Sequence, residues 1–350
     1  MILNTGYVHG GDIYSQRVKL DFSANVNPFG APEAVKAAVR AAAEALTPYP
    51  DPYCGPLRAQ LAARLGVERD SVLCGNGAAE LIYQFAAALK PRKALLPVPS
   101  FSEYEGALRA AGCEPTVYPL CRENGFALTD AILEAITPDT DLLLLCSPNN
   151  PTGRSVEKGL LLSILDRCRK TGAWLFLDEC FFELTDKGKA FSLAEQLKPG
   201  DRVFLLRAFT KAYGMAGLRL GYGICRNRQM LADMSRLIQP WNVSTPAQTA
   251  GLAALGCPDW PQKARNLIRS EKPFLLKGLN ALGLRALSGD ANYLFFSGTP
   301  GLYEGLKERG ILIRNCENYR GLASGDYRIA VRTRPENEAL LKAMGEVLRV

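Results

Sequence analysis

Histidine is almost absent: His9 is the only one in 350 residues. A Ser-His-Asp triad, a Cys-His dyad and multi-histidine metal sites are excluded unless His9 alone serves. An enzyme built on this chain must route its proton transfers through another group, and a lysine is the obvious candidate. The ten cysteines are scattered singly from Cys54 to Cys316, with no C-x-x-C pair. That argues against a zinc knuckle or a disulfide framework and for a reducing compartment. No apolar run approaches the roughly 18–20 residues that span a bilayer. The N-terminus lacks a charged-then-apolar signal pattern, so the chain reads as cytosolic. The formal charge is +7, but no basic run carries it. Nucleic-acid binding is therefore a weak reading, and a site for anionic substrates fits as well.

What is present is an ordinary globular composition, 47% apolar and 22% charged. The length suits two domains. The expected division is a large domain over residues 31–243, and a smaller α+β domain formed by residues 244–350 and completed by residues 1–30. In the larger part, apolar runs alternate with helical patterns. Val72–Cys74, Ala94–Leu96, Glu114–Leu120, Leu142–Cys146, Trp174–Leu177, Val203–Leu206 and Leu218–Ile224 read as strands. Pro32–Leu46, Leu57–Leu65 and Leu160–Lys170 carry helical spacing. Strands alternating with helices predict an α/β fold around a mostly parallel sheet. In the smaller part, helical tracts reach towards Leu282 with a break near Gly256-Cys-Pro258. Strands are expected at Tyr293–Phe296, Ile311–Arg314 and Tyr327–Val331.

The stretch Arg207-Ala-Phe-Thr-Lys-Ala-Tyr-Gly-Met-Ala-Gly-Leu-Arg219 stands out. Lys211 lies just past a buried strand, among small residues. Burial favours a neutral amine, which is a nucleophile toward carbonyls. Holding pyridoxal phosphate is one use of such an amine. The bland alternative is a surface lysine at a strand end. Asn149-Asn150, Asp178 and Thr210-Lys211 each follow the C-terminal end of an expected strand. In open parallel sheets ligands sit outside those ends, so one rim would gather all three.

A pyridoxal phosphate site needs an amine, an acid for the pyridine nitrogen, donors for the phosphate and a flat contact for the ring. Lys211 and Asp178 supply the first two. The N–H groups of Ala78 and Ala79, after Gly75-Asn-Gly77, with Thr210 and Arg219, supply the third. Phe101 supplies the fourth, and Asn150 a hydrogen bond to the cofactor's 3-oxygen. Gly75-Asn-Gly77 before a helix is equally a common tight turn. It lacks the third glycine and the Gly-Lys-Ser/Thr ending of nucleotide loops.

Ser147-Pro-Asn-Asn-Pro-Thr-Gly153, Asp178-Glu179, and Thr210-Lys211 with Gly217-Leu-Arg219 resemble the fold-type-I pyridoxal phosphate enzymes, in the histidinol-phosphate aminotransferase branch. The resemblance runs over nearly the whole chain. It implies Lys211 as the lysine that carries the cofactor, Asp178 on the pyridine nitrogen and Asn150 on the 3-oxygen. It implies phosphate contacts from Ala78, Ala79, Thr210 and Arg219. Tyr49 of Tyr49-Pro-Asp matches a tyrosine that reaches the phosphate from a partner subunit, so a homodimer is implied. His9-Gly-Gly-Asp-Ile13, Asp21-Phe-Ser-Ala-Asn-Val-Asn-Pro28 and Ile311-Leu-Ile-Arg-Asn-Cys-Glu-Asn-Tyr319, with Tyr327-Arg-Ile-Ala-Val-Arg332, are similar to the threonine-phosphate decarboxylases of cobalamin biosynthesis. That likeness implies that Arg314 and Arg328 take the anionic ends of a phosphorylated amino acid. It also puts His9 near the phosphate and Asn25 among the substrate contacts. Two departures stand out. Phe181 occupies the place where aminotransferases of the branch carry a tyrosine, and Ala79 the place of a polar side chain. The implied activity is decarboxylation of threonine phosphate. The rivals are transamination and a non-catalytic protein of the same fold.

Overall fold

The structure, a computed structural model, describes residues 9–15, 17–185 and 192–349. Residues 1–8 of the expected N-terminal segment lie outside the described residues.

Thirteen strands are described: β1 Leu20–Asp21, β2 Val72–Asn76, β3 Ala94–Val98, β4 Thr116–Pro119, β5 Leu142–Cys146, β6 Trp174–Asp178, β7 Val203–Ala208, β8 Leu220–Ile224, β9 Arg285–Leu287, β10 Tyr293–Ser297, β11 Ile311–Leu312, β12 Arg314–Asn315 and β13 Asp326–Ala330. The helices are α1 Glu33–Ala42, α2 Gly55–Leu65, α3 Gly77–Leu89, α4 Ser102–Ala110, α5 Ile132–Ala135, α6 Lys158–Thr171, α7 Phe209–Ala212, α8 Arg228–Leu237, α9 Thr245–Leu255, α10 Asp259–Ala281, α11 Leu302–Glu308 and α12 Arg334–Val347.

Seven strands form the large sheet, in the order β2-β8-β7-β6-β5-β3-β4. All pairings are parallel except those of β8, which runs against both β2 and β7. β3, β5, β6, β7 and β8 are buried along their whole length. Their apolar runs follow from that, because helices cover both faces of such a sheet. Phe85, Phe176 and Phe204 pack together on one face, with Phe176 and Phe204 stacked at 5.4 Å. Gly223 gives Phe204 room, since a Cβ there would lie 2.0 Å from its ring.

The small sheet has the order β12-β13-β10-β9, antiparallel throughout. The expected strand over Ile311–Arg314 is divided in two. β11 pairs in parallel with β1, while β12 joins the small sheet. The division places the N-terminal segment directly before the small sheet: Phe22 N–H donates to Leu312 O at 2.7 Å, and Ala330 N–H to Phe22 O at 2.8 Å. The strand expected from Leu218 begins only at Leu220. Ala216–Leu218 form a 3₁₀ turn, and Arg219 turns the chain with φ +55°. Helix α8 and strand β9 went unrecognised in the sequence, because α8 is short and polar on one face and β9 is only three residues long. Helix α9 packs against α1 and α2 and touches β8, on the large-sheet side.

Candidate active site

The rim of the large sheet gathers chemistry because of strand direction. β5, β6 and β7 end at Cys146, Asp178 and Ala208, and β2 points the same way. β8 runs oppositely, so it brings its N-terminal end to the same rim, with Leu220 opposite Asn76 and Gly221 opposite Ala208. That places Arg219 beside the start of α3. The antiparallel strand is thus what joins Arg219 to Ala78 and Ala79.

Lys211 sits in the single turn of α7. The N-terminal segment holds this turn from outside: Asn27 N–H donates to Lys211 O at 2.9 Å, and Asn27 Nδ2 to Ala212 O at 2.8 Å. The residue as a whole keeps some exposure, but its amine end lies in poorly solvated surroundings. That desolvation, with the charges of Arg328 and Arg219, pulls the Lys211 pKa down to about 8. The opposing charge of Asp178 is too weak to restore it. The amine also lies 5.4 Å from the centroid of the Phe181 ring.

Asp178 is buried at the end of β6. Its Oδ2 accepts from Tyr104 Oη at 2.7 Å and its Oδ1 from Cys180 N–H at 2.8 Å. Desolvation raises its pKa, and the two donors and Lys211 work against that. The carboxyl is therefore costly to bury without a cationic partner. Phe101 lies at the entry of α4, its ring 5.6 Å from Tyr104 at near right angles.

Ala78 and Ala79 occupy the first turn of α3, where backbone N–H groups have no intrahelical acceptor. Glu80 folds back to accept from Asn76 N–H at 2.6 Å. Two glycines make the anion cradle possible. A Cβ on Gly77 would lie 2.5 Å from Arg219 Nη2, and one on Gly221 would lie 2.6 Å from Ala78 N. The Thr210 side chain is buried. A helix start with a guanidinium beside it can hold an anion such as a phosphate.

Asn149 and Asn150 follow β5. Asn149 Nδ2 donates to Pro99 O and to Thr152 Oγ1, each at 2.9 Å. Asn150 Oδ1 accepts from Arg328 Nη1 and, at 3.3 Å, from Tyr319 Oη. Arg328, buried on β13, also donates from Nη2 to Ser23 O at 2.7 Å. With its amide oxygen turned inward, Asn25 accepts from Arg328 Nη1 and Nε at 3.2 and 3.1 Å. Arg314, buried on β12, donates to Asn318 Oδ1 at 2.7 Å and lies over the Tyr319 ring. His9 is half-exposed, with Nε2 3.0 Å from Glu103 Oε1. That contact, with a donation from Tyr83, holds the Glu103 carboxyl below its usual range. A cavity of about 390 Å³ opens between His9, Ser23, Lys307 and Arg314.

The structure brings Lys211, Asp178, Asn150, Arg328 and Asn25 into one connected cluster. Ala78, Ala79, Thr210 and Arg219 lie on the same rim, and Phe101 and His9 beside it. Tyr49 stands apart: it is 75% exposed and stacks on Trp241, with ring centroids 4.2 Å apart.

A sequence profile of the family "Aminotransferase class I and II" matches residues 17–344. The chain belongs to that family. It has the fold-type-I architecture of the pyridoxal phosphate transferases. It is 40% identical to the threonine-phosphate decarboxylase of Salmonella typhimurium, with 97% of this chain and 96% of that protein covered. It is 32% identical to the histidinol-phosphate aminotransferase of Moorella thermoacetica, over 94% of this chain and 85% of that one. Among solved structures, it is similar to the histidinol-phosphate aminotransferase of Clostridium acetobutylicum, with a TM-score of 0.87 and 28% identity over 94% of this chain and 99% of that one. It is also similar to the L-threonine-O-3-phosphate decarboxylase of Porphyromonas gingivalis, with a TM-score of 0.84 and 26% identity over 95% of this chain and 100% of that one.

Several residues around the rim make contacts that the sequence alone does not announce. Tyr104 was legible only as part of a helix, although it follows Phe101 by one turn. Tyr293 stood only at the start of an expected strand, and Tyr319 closed a stretch similar to the decarboxylases without a role of its own. Arg207 carried a signal: a charge inside an apolar strand demands a partner. Its partner is Glu179, with Arg207 Nη2 to Glu179 Oε2 at 2.8 Å and the pair almost wholly buried.

Proposed function

We propose that this chain decarboxylates L-threonine O-3-phosphate to (R)-1-amino-2-propanol O-phosphate, for cobalamin biosynthesis, with pyridoxal phosphate as cofactor. The observation that carries the reading is the desolvated amine of Lys211 within the electrostatic reach of buried Asp178 and buried Arg328, in a chain 40% identical to a threonine-phosphate decarboxylase along nearly its whole length.

The donor set suits the cofactor: a weakly basic amine at Lys211, an acid at Asp178, and a phosphate cradle at Ala78, Ala79, Thr210 and Arg219. Phe101 offers a face for the ring and Asn150 a donor for the 3-oxygen. Bound there, pyridoxal phosphate supplies an aldehyde carbon for amines and a protonated ring that accepts an electron pair. Lys211 Nζ would hold the cofactor. Asp178 keeps the ring nitrogen's proton in place. Arg328 and Arg314 hold the two anionic ends, forked guanidinium onto oxyanion, and His9 lies on the phosphate side. That grip sets which bond at Cα stands across the ring. With the carboxylate so placed, Lys211 Nζ would deliver a proton to Cα in place of the CO2 lost. The net change replaces CO2 by a proton.

Two domains are proposed, residues 31–243 around the large sheet and residues 244–350, completed by the N-terminal segment, around the small one, with α9 at the start of the second range packed against α1 and α2. We place Tyr49 at the phosphate of a partner's site in a homodimer, which accounts for an exposed aromatic pair with Trp241. No helix among the described residues is long and apolar enough to cross a membrane. With ten unpaired cysteines, a cytoplasmic enzyme is proposed.

The test is to incubate holoenzyme with threonine phosphate and measure CO2. Release matched by amino-propanol phosphate is expected. Accumulation of pyridoxamine phosphate with release of a 2-oxo acid and no CO2 would replace the reading by transamination, the activity named for several relatives.

A further inference from the structure

Tyr104 is fully buried, yet it is neither a phosphate donor nor within the substrate's arginine cluster. Its hydroxyl makes a 2.7 Å hydrogen bond to Asp178 Oδ2. Its own ionisation is pushed far upward, chiefly by burial and then by the charge of Asp178, so it remains a donor throughout the working pH range. The same residue is tied to Phe101: Tyr104 N–H donates to Phe101 O at 3.2 Å, and the two rings meet edge to face. One residue therefore touches both the acid and the aromatic face of the candidate cofactor site.

We propose that Tyr104 is a positioning residue for the cofactor's ring, fixing the Asp178 carboxylate in one orientation at a set spacing from Phe101. This rests on the pyridoxal phosphate reading above. Cys180 holds the carboxyl through its backbone N–H at Oδ1 and through its thiol, and Tyr104 adds the hydrogen bond at Oδ2 that ties the carboxyl to α4 and to Phe101. A carboxylate free to rotate would lose part of its alignment with a ring nitrogen, and a hydrogen bond missing from a buried charge raises the cost of keeping it ionised. The groups facing Asp178 are Tyr104 from α4, Cys146 from β5, Cys180, Lys211 from α7 and Tyr293 from β10. Of these only Lys211 is cationic, and it is engaged once the cofactor is bound.

The test measures cofactor affinity rather than turnover. Pyridoxal phosphate is titrated into apoenzyme, followed by visible absorbance, for wild type, Tyr104→Phe, Asp178→Ala and the double variant. Tyr104→Phe keeps the ring and its contact with Phe101. It should weaken binding about tenfold, the scale of one hydrogen bond to a charged group. In the Asp178→Ala background the same substitution should change affinity by less than about twofold, because a residue acting through Asp178 has nothing left to act on. The acid limb of affinity against pH should also move to higher pH in Tyr104→Phe, since Asp178 then protonates sooner. If Asp178→Ala does not fold, as judged by circular dichroism, Asp178→Asn serves as the background and the factor should shrink. Equal factors in both backgrounds, or unchanged affinity in Tyr104→Phe, would overturn the proposal. Failure of wild type to bind the cofactor at all would instead sink the functional reading on which it rests.

Discussion

The guanidinium carbon of Arg328 lies 5.3 Å from the centroid of the Tyr293 ring. The two residues are diagonal neighbours on β13 and β10, since Tyr293 stands opposite Ala330 and Arg328 opposite Phe295. Tyr293 Oη also donates to Asn149 O at 2.8 Å, and its ring meets Phe181 edge-on at 5.0 Å. One tyrosine of the small sheet thus supports an arginine and grips the rim of the large sheet next to Lys211.

Arg328→Lys keeps the charge but loses the planar fork that spans Asn150, Ser23 and Asn25. Threonine phosphate binding should weaken about a hundredfold, in keeping with about 2–5 kcal/mol for losing a buried, hydrogen-bonded charged contact. Substrate titration of the holoenzyme checks this. A change below about threefold would remove Arg328 from the substrate's contacts.

Lys211 has its pKa pulled down to about 8, with desolvation the first cause. The group is protonated below that value and neutral above it, and only the neutral amine attacks an aldehyde. The rate at which apoenzyme takes up pyridoxal phosphate should therefore rise with pH, reach half its maximum near pH 8 and level off above. An ordinary lysine would still be rising towards about pH 10.4. Stopped-flow absorbance distinguishes the two curves, and Lys211→Ala should show neither.

The buried Arg207–Glu179 pair lies one residue from Asp178. Removing one member leaves the other charged and desolvated. Glu179→Gln should cost about 3–5 kcal/mol of stability. Urea unfolding of the apoenzyme measures it, and a loss below about 1 kcal/mol would show that water or another group replaces the pair.

Gly289 presses on the loop that carries Asn150. A Cβ at 289 would lie 2.6 Å from Gly153 C and O, backbone atoms that cannot turn aside. Gly289→Ala should cost about 1–3 kcal/mol through displaced backbone and lower kcat/KM by shifting Asn150. Thermal unfolding and steady-state kinetics on the same sample check both. Unchanged kcat/KM with lowered stability would separate this contact from the site.

If Tyr49 serves the partner's site, Tyr49→Ala and Lys211→Ala homodimers should both be impaired. A mixture refolded together should recover activity, because a hybrid dimer contains one site with both groups intact. No recovery in hybrids verified by mass spectrometry would put Tyr49 outside the reaction.

The large sheet and its rim were legible because burial on both faces leaves strands as continuous apolar runs, as in Leu142–Cys146 and Trp174–Asp178, with polar residues beginning where strands stop. Lys211, Asp178 and Asn150 were found that way, as candidates at strand ends. Their resemblance to known motifs then gave each a role. The division of Ile311–Arg314 between two sheets was not legible, since hydrogen-bond partners far away in the chain decide where a strand of two residues ends. The contacts of Tyr104 and Tyr293 at the rim were invisible for the same reason: an aromatic looks like core until its hydroxyl's acceptor is known.

Residue types and their order along the chain determined the alternation of strands and helices and which groups would sit at the strand ends. Only the tertiary structure decided that β8 runs backwards and so delivers Arg219 to Ala78. It alone turned Tyr104 onto Asp178 and seated Arg328 between Asn25, Asn150 and Tyr293. The reason is physical: local pattern follows from burial along one segment, whereas a hydrogen bond between residues far apart in sequence exists only once the intervening chain has packed.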